Sequence, residues 1–295
     1  MSALEMVINL HVTERCNFRC SYCFGKWGLR EEGSPELSAF ADSLAASALM
    51  RDVKTAVAPG RAVRFNFVGG EPALLPNIAE LIEMARRLGA RTSYVTNGLM
   101  LRRFDAEWTS SHVDIVGISV DSTSAETNRA IGRVGGNRHV IDYRELAEAT
   151  GRLRAARGRL VPPAVKINTV VSRFNFDEDL TDIIRTIAPS RWKVLKMLPV
   201  YSSGDGISKS DYRKFIDRHK QLKMIMTTED NDQMTGSYVM IDPRGRFFWF
   251  GGKPGEGYTY SDPIIDVGAE IAWSQTSFDA AKFRTRYSTP EMEYP

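Results

Sequence analysis

The stretch that decides the fold is residues 6–23, MVINLHVTERCNFRCSYC, in which a strand pattern runs directly into a cysteine loop. Residues 6–12 have the apolar and β-branched composition of a buried strand. Cys16, Cys20 and Cys23 follow, and they are all the cysteines of this 295-residue chain. Loops at the carboxyl ends of strands carry the sites of α/β proteins. The sequence therefore predicts a thiol-rich site directly after the first strand.

Five further strand patterns follow, each leading into a helical spacing of apolar residues. Six successive βα units indicate a parallel sheet with right-handed crossovers. They are too few for a complete eight-unit barrel, and a doubly wound sheet fits the same pattern. The strand patterns lie at residues 62–68, 92–96, 114–120, 164–171 and 192–198, and the helical patterns at 37–48, 78–88, 102–109, 138–157, 180–187 and 210–222.

The pattern changes after residue 225. Residues 238–250, YVMIDPRGRFFWF, predict a β-hairpin with DPRG as its turn. No linker marks off an independent domain. We therefore predict a barrel domain at residues 1–222 and a C-terminal extension at residues 223–295 that packs on it.

Charge and hydropathy exclude several classes of protein. The net charge of +3, from 39 basic and 36 acidic residues, is too small to indicate a nucleic-acid-binding protein. No apolar run reaches ~18 residues, so we expect no membrane helix. The first twelve residues lack the features of a signal peptide. These observations predict a cytoplasmic protein, and a monomer is the default expectation.

The cysteine cluster has three interpretations. Three close thiolates can bind three corners of a 4Fe–4S cluster and leave the fourth iron open. Free cysteines can also be small buried apolar residues, although burial does not explain why all three lie within one loop. A zinc site would need His11 as the fourth ligand, at a spacing unlike the usual zinc patterns. The cluster interpretation fits the spacing best.

Polar or glycine residues follow the next three strands in turn. Gly69 and Gly70 allow close approach of a ligand to the backbone, and Glu71 can accept a hydrogen bond from an ammonium group. Asn97 ends the third strand within a routine Asn-Gly turn, and Ser119 ends the fourth. Each signal is weak alone, but their order at consecutive strand ends indicates one shared site.

The C-x₃-C-x₂-C spacing, with the aromatic Tyr22 before the last cysteine, resembles the radical S-adenosylmethionine (radical SAM) superfamily. The resemblance implies a 4Fe–4S cluster on the three cysteines, whose free iron binds SAM. It also implies that the GGEP motif holds the SAM amino group. The expected fold is then α/β, a partial (βα)6 TIM-like barrel with a C-terminal extension that contains a β-hairpin.

Other stretches resemble the viperin family of antiviral radical SAM enzymes. The resemblance implies an enzyme that takes the 4′-hydrogen of a ribonucleoside triphosphate. Loss of the 3′-hydroxyl as water, with one electron and one proton, then gives a 3′-deoxy-3′,4′-didehydro chain terminator. The stretches are NLHVTERCNFRCSYCF (9–24), FVGGEP (67–72), ISVDS (118–122), IGR (131–133), KINTVVSRFNFDED (166–179), PSRWKV (189–194), DRHK (217–220) and IIDVG (264–268).

The viperin resemblance also implies residue roles in a nucleotide site beneath the C-terminal extension. Arg133, Lys166 and Lys193 are expected on phosphate, since a triphosphate needs several converging cations. Asn9 is expected near the ribose, and Asn168 belongs to the same substrate-binding set. Tyr238 matches a tyrosine that donates the last hydrogen atom, or else it is an aromatic of the hairpin core.

The chain departs from the family pattern in two ways. Asp262 stands where viperins carry a phosphate-binding lysine, so Lys253 or another cation must substitute. The membrane helix and terminal tryptophan of the animal enzymes are not seen, which favours a non-animal relative. CTP, UTP and GTP all stay open as substrates, and a flavodoxin- or ferredoxin-like reductant is expected. The alternative is another radical SAM enzyme that acts on a different small molecule or a peptide.

Overall fold

The computed structural model describes residues 4–25, 38–99, 101, 105–157, 161–201 and 204–287. Its centre is a curled sheet of eight parallel strands, in the order β7-β6-β5-β4-β3-β2-β1-β8, which forms a half-barrel. The strands of this sheet are β1 Met6–His11, β2 Val63–Val68, β3 Arg91–Thr96, β4 Ile115–Ser119, β5 Ala164–Val171, β6 Arg191–Lys196, β7 Met226–Glu229 and β8 Val239–Ile241.

Helices follow the strands and cover one face of the sheet. Asp42 begins the first helix by accepting a hydrogen bond from the backbone N–H of Ala45, at 2.7 Å. Among the described helices, none is long and apolar enough to cross a membrane. The helices are α1 Ser43–Val57, α2 Ile78–Arg87, α3 Ala106–His112, α4 Ala125–Ile131, α5 Tyr143–Ala155, α6 Thr181–Ile187, α7 Lys209–Arg218, α8 Asn231–Met234, α9 Ile264–Val267, α10 Ala269–Ser274 and α11 Ala280–Tyr287.

Alternation along the strands separates the core from the interior of the half-barrel. On β2, Phe65 and Phe67 are fully buried in the core under the helices. Arg64, Asn66 and Val68 point the other way and line a cavity. The sheet therefore has an apolar face that holds it to the helices and a polar face that is available for function.

All six strands expected from the sequence are present, with ends shifted by a few residues. Two helices begin later than the sequence pattern predicts. Helix α1 begins at Ser43, and Leu37 lies outside the described residues. Helix α5 begins at Tyr143 because Asp142 caps it, after a separate 3₁₀ turn at Gly136–Arg138. Residues 102–104 also lie outside the described part, and the helix expected there is found as Ala106–His112.

The C-terminal region differs from the expected hairpin. The DPRG turn forms, since Gly245 N–H donates to the Asp242 carbonyl at 3.0 Å, but one isolated bridge, Ile241 to Phe247, joins its arms. Strand β8 instead pairs in parallel with β1, which makes it one edge of the main sheet. Strand β7 is the other edge. The regular hairpin lies later, between β9 Phe248–Phe250 and β10 Tyr258–Tyr260.

His219, in the DRHK segment, is a fully buried structural residue. Its Nε2 accepts from the backbone N–H of Leu180 at 2.9 Å, at the start of α6, and its Nδ1 lies 2.8 Å from the Phe215 carbonyl. The ring also packs against Trp192 at 4.9 Å. Only a neutral imidazole can accept this hydrogen bond while donating at Nδ1. Burial accordingly lowers the pKa of His219.

We expect the fold to lose stability as the pH falls below about 6.5, the ordinary histidine value. Burial lowers the pKa of His219, and it lowers that of His11 to about 3. At low pH the unfolded chain therefore binds protons that the folded chain does not bind. The free energy of unfolding consequently decreases as the pH is lowered. Anaerobic melting curves between pH 7.5 and 5 measure this.

A His219→Gln variant tests the assignment, because it removes one titrating group. Its melting temperature should depend less steeply on pH than that of the wild type. The exposed His139 provides the matched control, and His139→Gln should keep the wild-type slope. An unchanged slope in His219→Gln would show that this histidine does not contribute.

Candidate active site

A cavity of about 850 Å³ occupies the inside of the half-barrel. Such a volume lies within the range of small-molecule sites. Its wall includes all the site residues expected from the sequence except Glu71. Those wall residues are Asn9, Cys16, Cys20, Cys23, Gly69, Gly70, Asn97, Ser119, Arg133, Lys166, Asn168, Lys193 and Tyr238.

The cysteine loop is fixed to the end of α4. Arg19 N–H donates to the Gly132 carbonyl at 3.0 Å, and Ser21 N–H donates to the Ile131 carbonyl at 2.9 Å. Gly132 has φ +87°, and a Cβ there would lie 2.3 Å from the Arg19 carbonyl oxygen. The glycine of the IGR motif thus permits close packing of α4 against the loop.

The two glycines of GGEP pack against the chain that leads into the cysteine loop. Gly70 N–H donates to the Thr13 carbonyl at 2.6 Å, and Glu71 N–H donates to the Arg15 carbonyl at 2.8 Å. A Cβ on Gly70 would lie 2.1 Å from the Arg15 carbonyl oxygen. The glycines therefore permit this close backbone packing. Their role in the approach of a ligand stays a prediction.

Replacing Gly70 by alanine should push the backbone segments at Gly70 and Arg15 apart. The new Cβ would collide with the Arg15 carbonyl oxygen, which is a backbone atom and cannot rotate away as a flexible side chain could. Overpacking of this kind costs about 1–3 kcal/mol of stability. We expect a lower melting temperature and less iron per chain after cluster reconstitution. Gly151 on α5 is the matched control, since nothing lies within 4 Å of its Cβ position. Gly151→Ala should raise stability by about 0.5–1 kcal/mol and leave iron content unchanged.

Glu71 lies behind the cavity wall, fully buried. Its carboxylate accepts from Thr96 Oγ1 at 2.9 Å and from the backbone N–H of Asn97 at 2.8 Å. Burial raises the pKa of Glu71, while these donors lower it. Asn97 in turn donates to Asn17 Oδ1 at 2.6 Å and lies 3.8 Å from Cys16 Sγ. Glu71 therefore connects the ends of two strands and supports Asn97 beside the cysteine loop.

Asp121 is a buried residue of the site that the sequence analysis did not select. Its carboxylate accepts from the Tyr22 hydroxyl and forms an ion pair with Arg133 at 2.9 Å. Arg133 also donates to the Ser119 carbonyl at 2.8 Å. Asp121 lies in the ISVDS motif just after the end of β4, and this position at a strand end was a signal that could have identified it as a site residue. The structure places Arg133 at the cysteine end of the cavity.

The three thiols suit a cluster better than a single metal ion. All are free and half-buried. Burial raises the pKa of Cys20 to about 12, although Arg133 lowers it, so this thiol is a poor free nucleophile. In the described part of the chain, no three His, Cys, Asp or Glu side chains come together as a site for one ion. Three separate thiolates on one loop match a 4Fe–4S cluster, in which each binds a different iron.

His11 is a buried residue of the cavity wall. It ends β1 among aromatic rings, with Phe248 at 4.9 Å and Phe24 at 5.7 Å. Burial lowers the pKa of His11 to about 3, so the ring is neutral at physiological pH. We interpret His11 as an uncharged part of the cavity wall.

The opposite part of the cavity is rich in cations. Lys166 and Lys193 lie on adjacent strands, with Asn168 paired in register with Lys193. No described residue forms a hydrogen bond or ion pair with the Lys166 ammonium group. Burial, together with Lys193 and Arg64, lowers the pKa of Lys166 well below its usual value. A half-buried ammonium group among other cations is costly unless an anion joins it.

Asn9 belongs to a polar ladder across the interior. It donates to the Val239 carbonyl at 3.0 Å and accepts from Asn66 at 2.8 Å. Ser93 donates to Asn66 at 2.7 Å, and Arg64 donates to Ser93 at 3.1 Å. Arg64, Asn66 and Ser93 are not among the site residues predicted from the sequence. Polar residues that alternate with phenylalanines on β2 are a signal for Arg64 and Asn66.

The C-terminal extension supplies further cavity residues, although Lys253 is not among them. Lys253 is exposed and lies 3.5 Å from Glu256. Asp262 exchanges hydrogen bonds with Gln275 at the surface. Arg286 on α11 lines the cavity instead, and its guanidinium lies 3.6 Å from the ring centre of Tyr238. Arg286 is a cation that no sequence signal indicated.

Comparisons with known proteins agree with this geometry. Residues 10–187 match the model of the radical SAM superfamily. The chain is 37% identical to an S-adenosylmethionine-dependent nucleotide dehydratase of Psychrobacter lutiphocae, over 98% of this chain and 96% of that protein. A protein of the same description from Pseudoalteromonas ulvae is 34% identical, over 98% and 94%.

A solved structure described as native anSMEcpe with bound AdoMet shares the fold. Its TM-score is 0.63 at 15% identity, covering 96% of this chain and 82% of that one. The radical SAM family implies a 4Fe–4S cluster and SAM as cofactors. With the cysteine loop, the half-barrel and these relatives together, the chain belongs to the viperin-like S-adenosylmethionine-dependent nucleotide dehydratases of the radical SAM superfamily.

Proposed function

We propose that this enzyme converts a ribonucleoside triphosphate to its 3′-deoxy-3′,4′-didehydro derivative, beginning with removal of the 4′-hydrogen. The net change in the nucleotide is the loss of one water. Because the product lacks a 3′-hydroxyl, a polymerase that incorporates it cannot extend the chain. An antiviral role follows from this property of the product.

One observation carries the proposal: a single cavity joins the cysteine loop to a group of half-buried cations. The cysteine end contains Asn97, Ser119 and Arg133, and the other end contains Lys166 and Lys193. No described residue forms a hydrogen bond or ion pair with the ammonium group of Lys166, and this indicates an anionic ligand. A triphosphate at the cation end would place the attached ribose between the phosphates and the cysteine loop.

The residues of the chain divide into two groups in this proposal. Cys16, Cys20 and Cys23 would hold the cluster, and bound SAM then supplies the 5′-deoxyadenosyl radical that abstracts hydrogen. Gly69 and Gly70 fix the loop, and Glu71 supports Asn97 beside it. We assign Arg133 to the SAM side, because it lies beside Cys20 and Asp121.

On the nucleotide side, Lys166 and Lys193 would bind phosphate, and Asn168 lies beside them. Asn9 would face the ribose from the opposite wall, held by its bonds to Asn66 and Val239. Tyr238 also lines the cavity, where we propose it as a hydrogen-atom donor.

The same proposal includes the organisation of the whole chain. Residues 1–222 would form most of the catalytic barrel, and residues 223–295 would add its two edge strands, β7 and β8, and cover the nucleotide. Tyr238 and Arg286 support this role for the extension, since both line the cavity. We further propose a monomer reduced by a flavodoxin- or ferredoxin-like protein, with CTP, UTP or GTP as the substrate.

The test is anaerobic incubation of the reconstituted enzyme with SAM, dithionite and each of the four ribonucleoside triphosphates. We expect one triphosphate to stimulate release of 5′-deoxyadenosine and to yield a product lighter by one water in mass spectrometry. Deuterium at the 4′-position should appear in 5′-deoxyadenosine. SAM cleavage that no triphosphate stimulates would contradict the proposal and favour a different substrate.

A further inference from the structure

Glu229 ends β7 and connects four separate parts of the chain. Its carboxylate lies 2.6 Å from Lys193 Nζ on β6 and 3.2 Å from Arg286 Nε on α11. The Tyr238 hydroxyl, just before β8, donates to the same carboxylate. Glu229 is buried, with 5% of its surface exposed. One acidic side chain thus occupies the seam between the two edge strands of the sheet.

The contacts orient the ammonium group of Lys193. An ammonium has three donors. One is directed to Glu229, and another is directed to the Tyr238 hydroxyl oxygen at 2.7 Å. The third donor is left for a ligand in the cavity that Lys193 lines.

The charges around Lys193 are mostly of its own sign. Arg191 lies on the same strand, Lys166 on the next strand, and Arg286 on α11. Glu229 is the carboxylate that faces this group, and Tyr238 is its neutral neighbour. Burial lowers the pKa of Lys193 to about 8, and Glu229 raises it. Burial opposes ionisation of Glu229, but Lys193 and Arg286 lower its pKa to about 2.

We propose that Glu229 is a positioning residue of the nucleotide site, which keeps Lys193 protonated and fixes its free donor toward the phosphates of the substrate. The carboxylate touches no substrate itself and acts through Lys193. It also directs the Tyr238 hydroxyl and holds Arg286 at the wall of the cavity. The proposal rests on the proposed function insofar as the anion is a nucleoside triphosphate.

The test measures binding of inorganic tripolyphosphate to the holoenzyme by anaerobic calorimetry at pH 6.5 and pH 8.5. Glu229→Gln keeps the shape and an acceptor for Lys193 but removes the charge. If the pKa of Lys193 falls by one unit, the rise in Kd between the two pH values should be about six-fold larger than in the wild type. The ionisation of the probe is common to all variants and cancels in this comparison.

Two variants separate positioning from structural damage. Glu229→Asp keeps the charge and should restore most of the wild-type pH dependence. Asp211→Asn removes a carboxylate from α7 that pairs with Lys214 at 3.0 Å away from the cavity wall, and it should keep the wild-type ratio. Melting curves confirm that each variant is folded.

Equal pH ratios in the wild type and Glu229→Gln would overturn the proposal, as would a wild-type enzyme that does not bind tripolyphosphate. Failure of the proposed function is seen separately, as the absence of SAM cleavage stimulated by any nucleoside triphosphate. If Glu229→Gln changes the binding of tripolyphosphate but no nucleoside triphosphate stimulates SAM cleavage, the anion site is supported and the proposed nucleotide chemistry is contradicted.

Discussion

Replacing Cys20 with alanine should abolish the brown iron–sulfur chromophore and reduce SAM cleavage to background. The chain has three cysteines, all in this loop, so no other thiol can take the place of the lost ligand. A cluster with two remaining thiolates has two open irons and is bound too weakly to persist. Absorbance near 400 nm, iron content and 5′-deoxyadenosine release measure the effect, and Cys16→Ala and Cys23→Ala should behave alike.

Ser21 provides the control within the same loop. It is exposed, and its backbone N–H, not its side chain, holds the Ile131 carbonyl. Ser21→Ala should therefore keep the wild-type cluster. A cluster that survives in any of the three cysteine variants would refute the assignment of that cysteine as a ligand.

Replacing Lys166 with methionine should raise the KM of the preferred triphosphate while leaving the cluster and the binding of SAM intact. A hydrogen bond to a charged group contributes about 1.5–3 kcal/mol, which corresponds to a rise of about 10- to 150-fold. The effect falls mainly on KM if Lys166 binds the phosphates equally in the ground state and the transition state. Steady-state kinetics with varied triphosphate measure it.

Lys214 on α7 is the matched control for the loss of one lysine charge. It is exposed, pairs with Asp211 at 3.0 Å, and is not among the residues that line the cavity. Lys214→Met should leave KM unchanged. If the KM of Lys166→Met equals that of the wild type, Lys166 does not bind the phosphates. A lost chromophore would instead indicate a structural role.

Local pattern was enough to predict the first six strands and the cysteine loop. Strand alternation also predicted that Arg191 and Lys193 share a face, and both line the cavity. These features depend on residues close in the chain, where periodicity and spacing carry the information. The same reasoning missed β7, because a strand of four residues leaves too little alternation to recognise. It recognised the residues of β8 as one arm of a hairpin but did not predict their parallel pairing with β1.

Position along the chain did not show which end of the cavity each cation occupies. The viperin resemblance implies a phosphate role for Arg133, and this role stays a prediction. The structure places Arg133 beside Cys20 and pairs it with Asp121, which the Tyr22 hydroxyl also contacts across 99 positions of sequence. Glu229 gave no signal at all, since a single acidic residue in a polar segment is ordinary.

The sequence by itself determined the order of βα units, the set of three cysteines and the superfamily, because each depends on the spacing of residues that are close in the chain. Only the tertiary structure decided that the C-terminal extension contributes an edge strand beside β1, through bonds such as that from Asn9 to the Val239 carbonyl, 230 positions away. It also decided that Glu229 meets Lys193, Tyr238 and Arg286. Contacts at such separations are fixed by how the curled sheet brings its two edges together, and no local pattern encodes that approach.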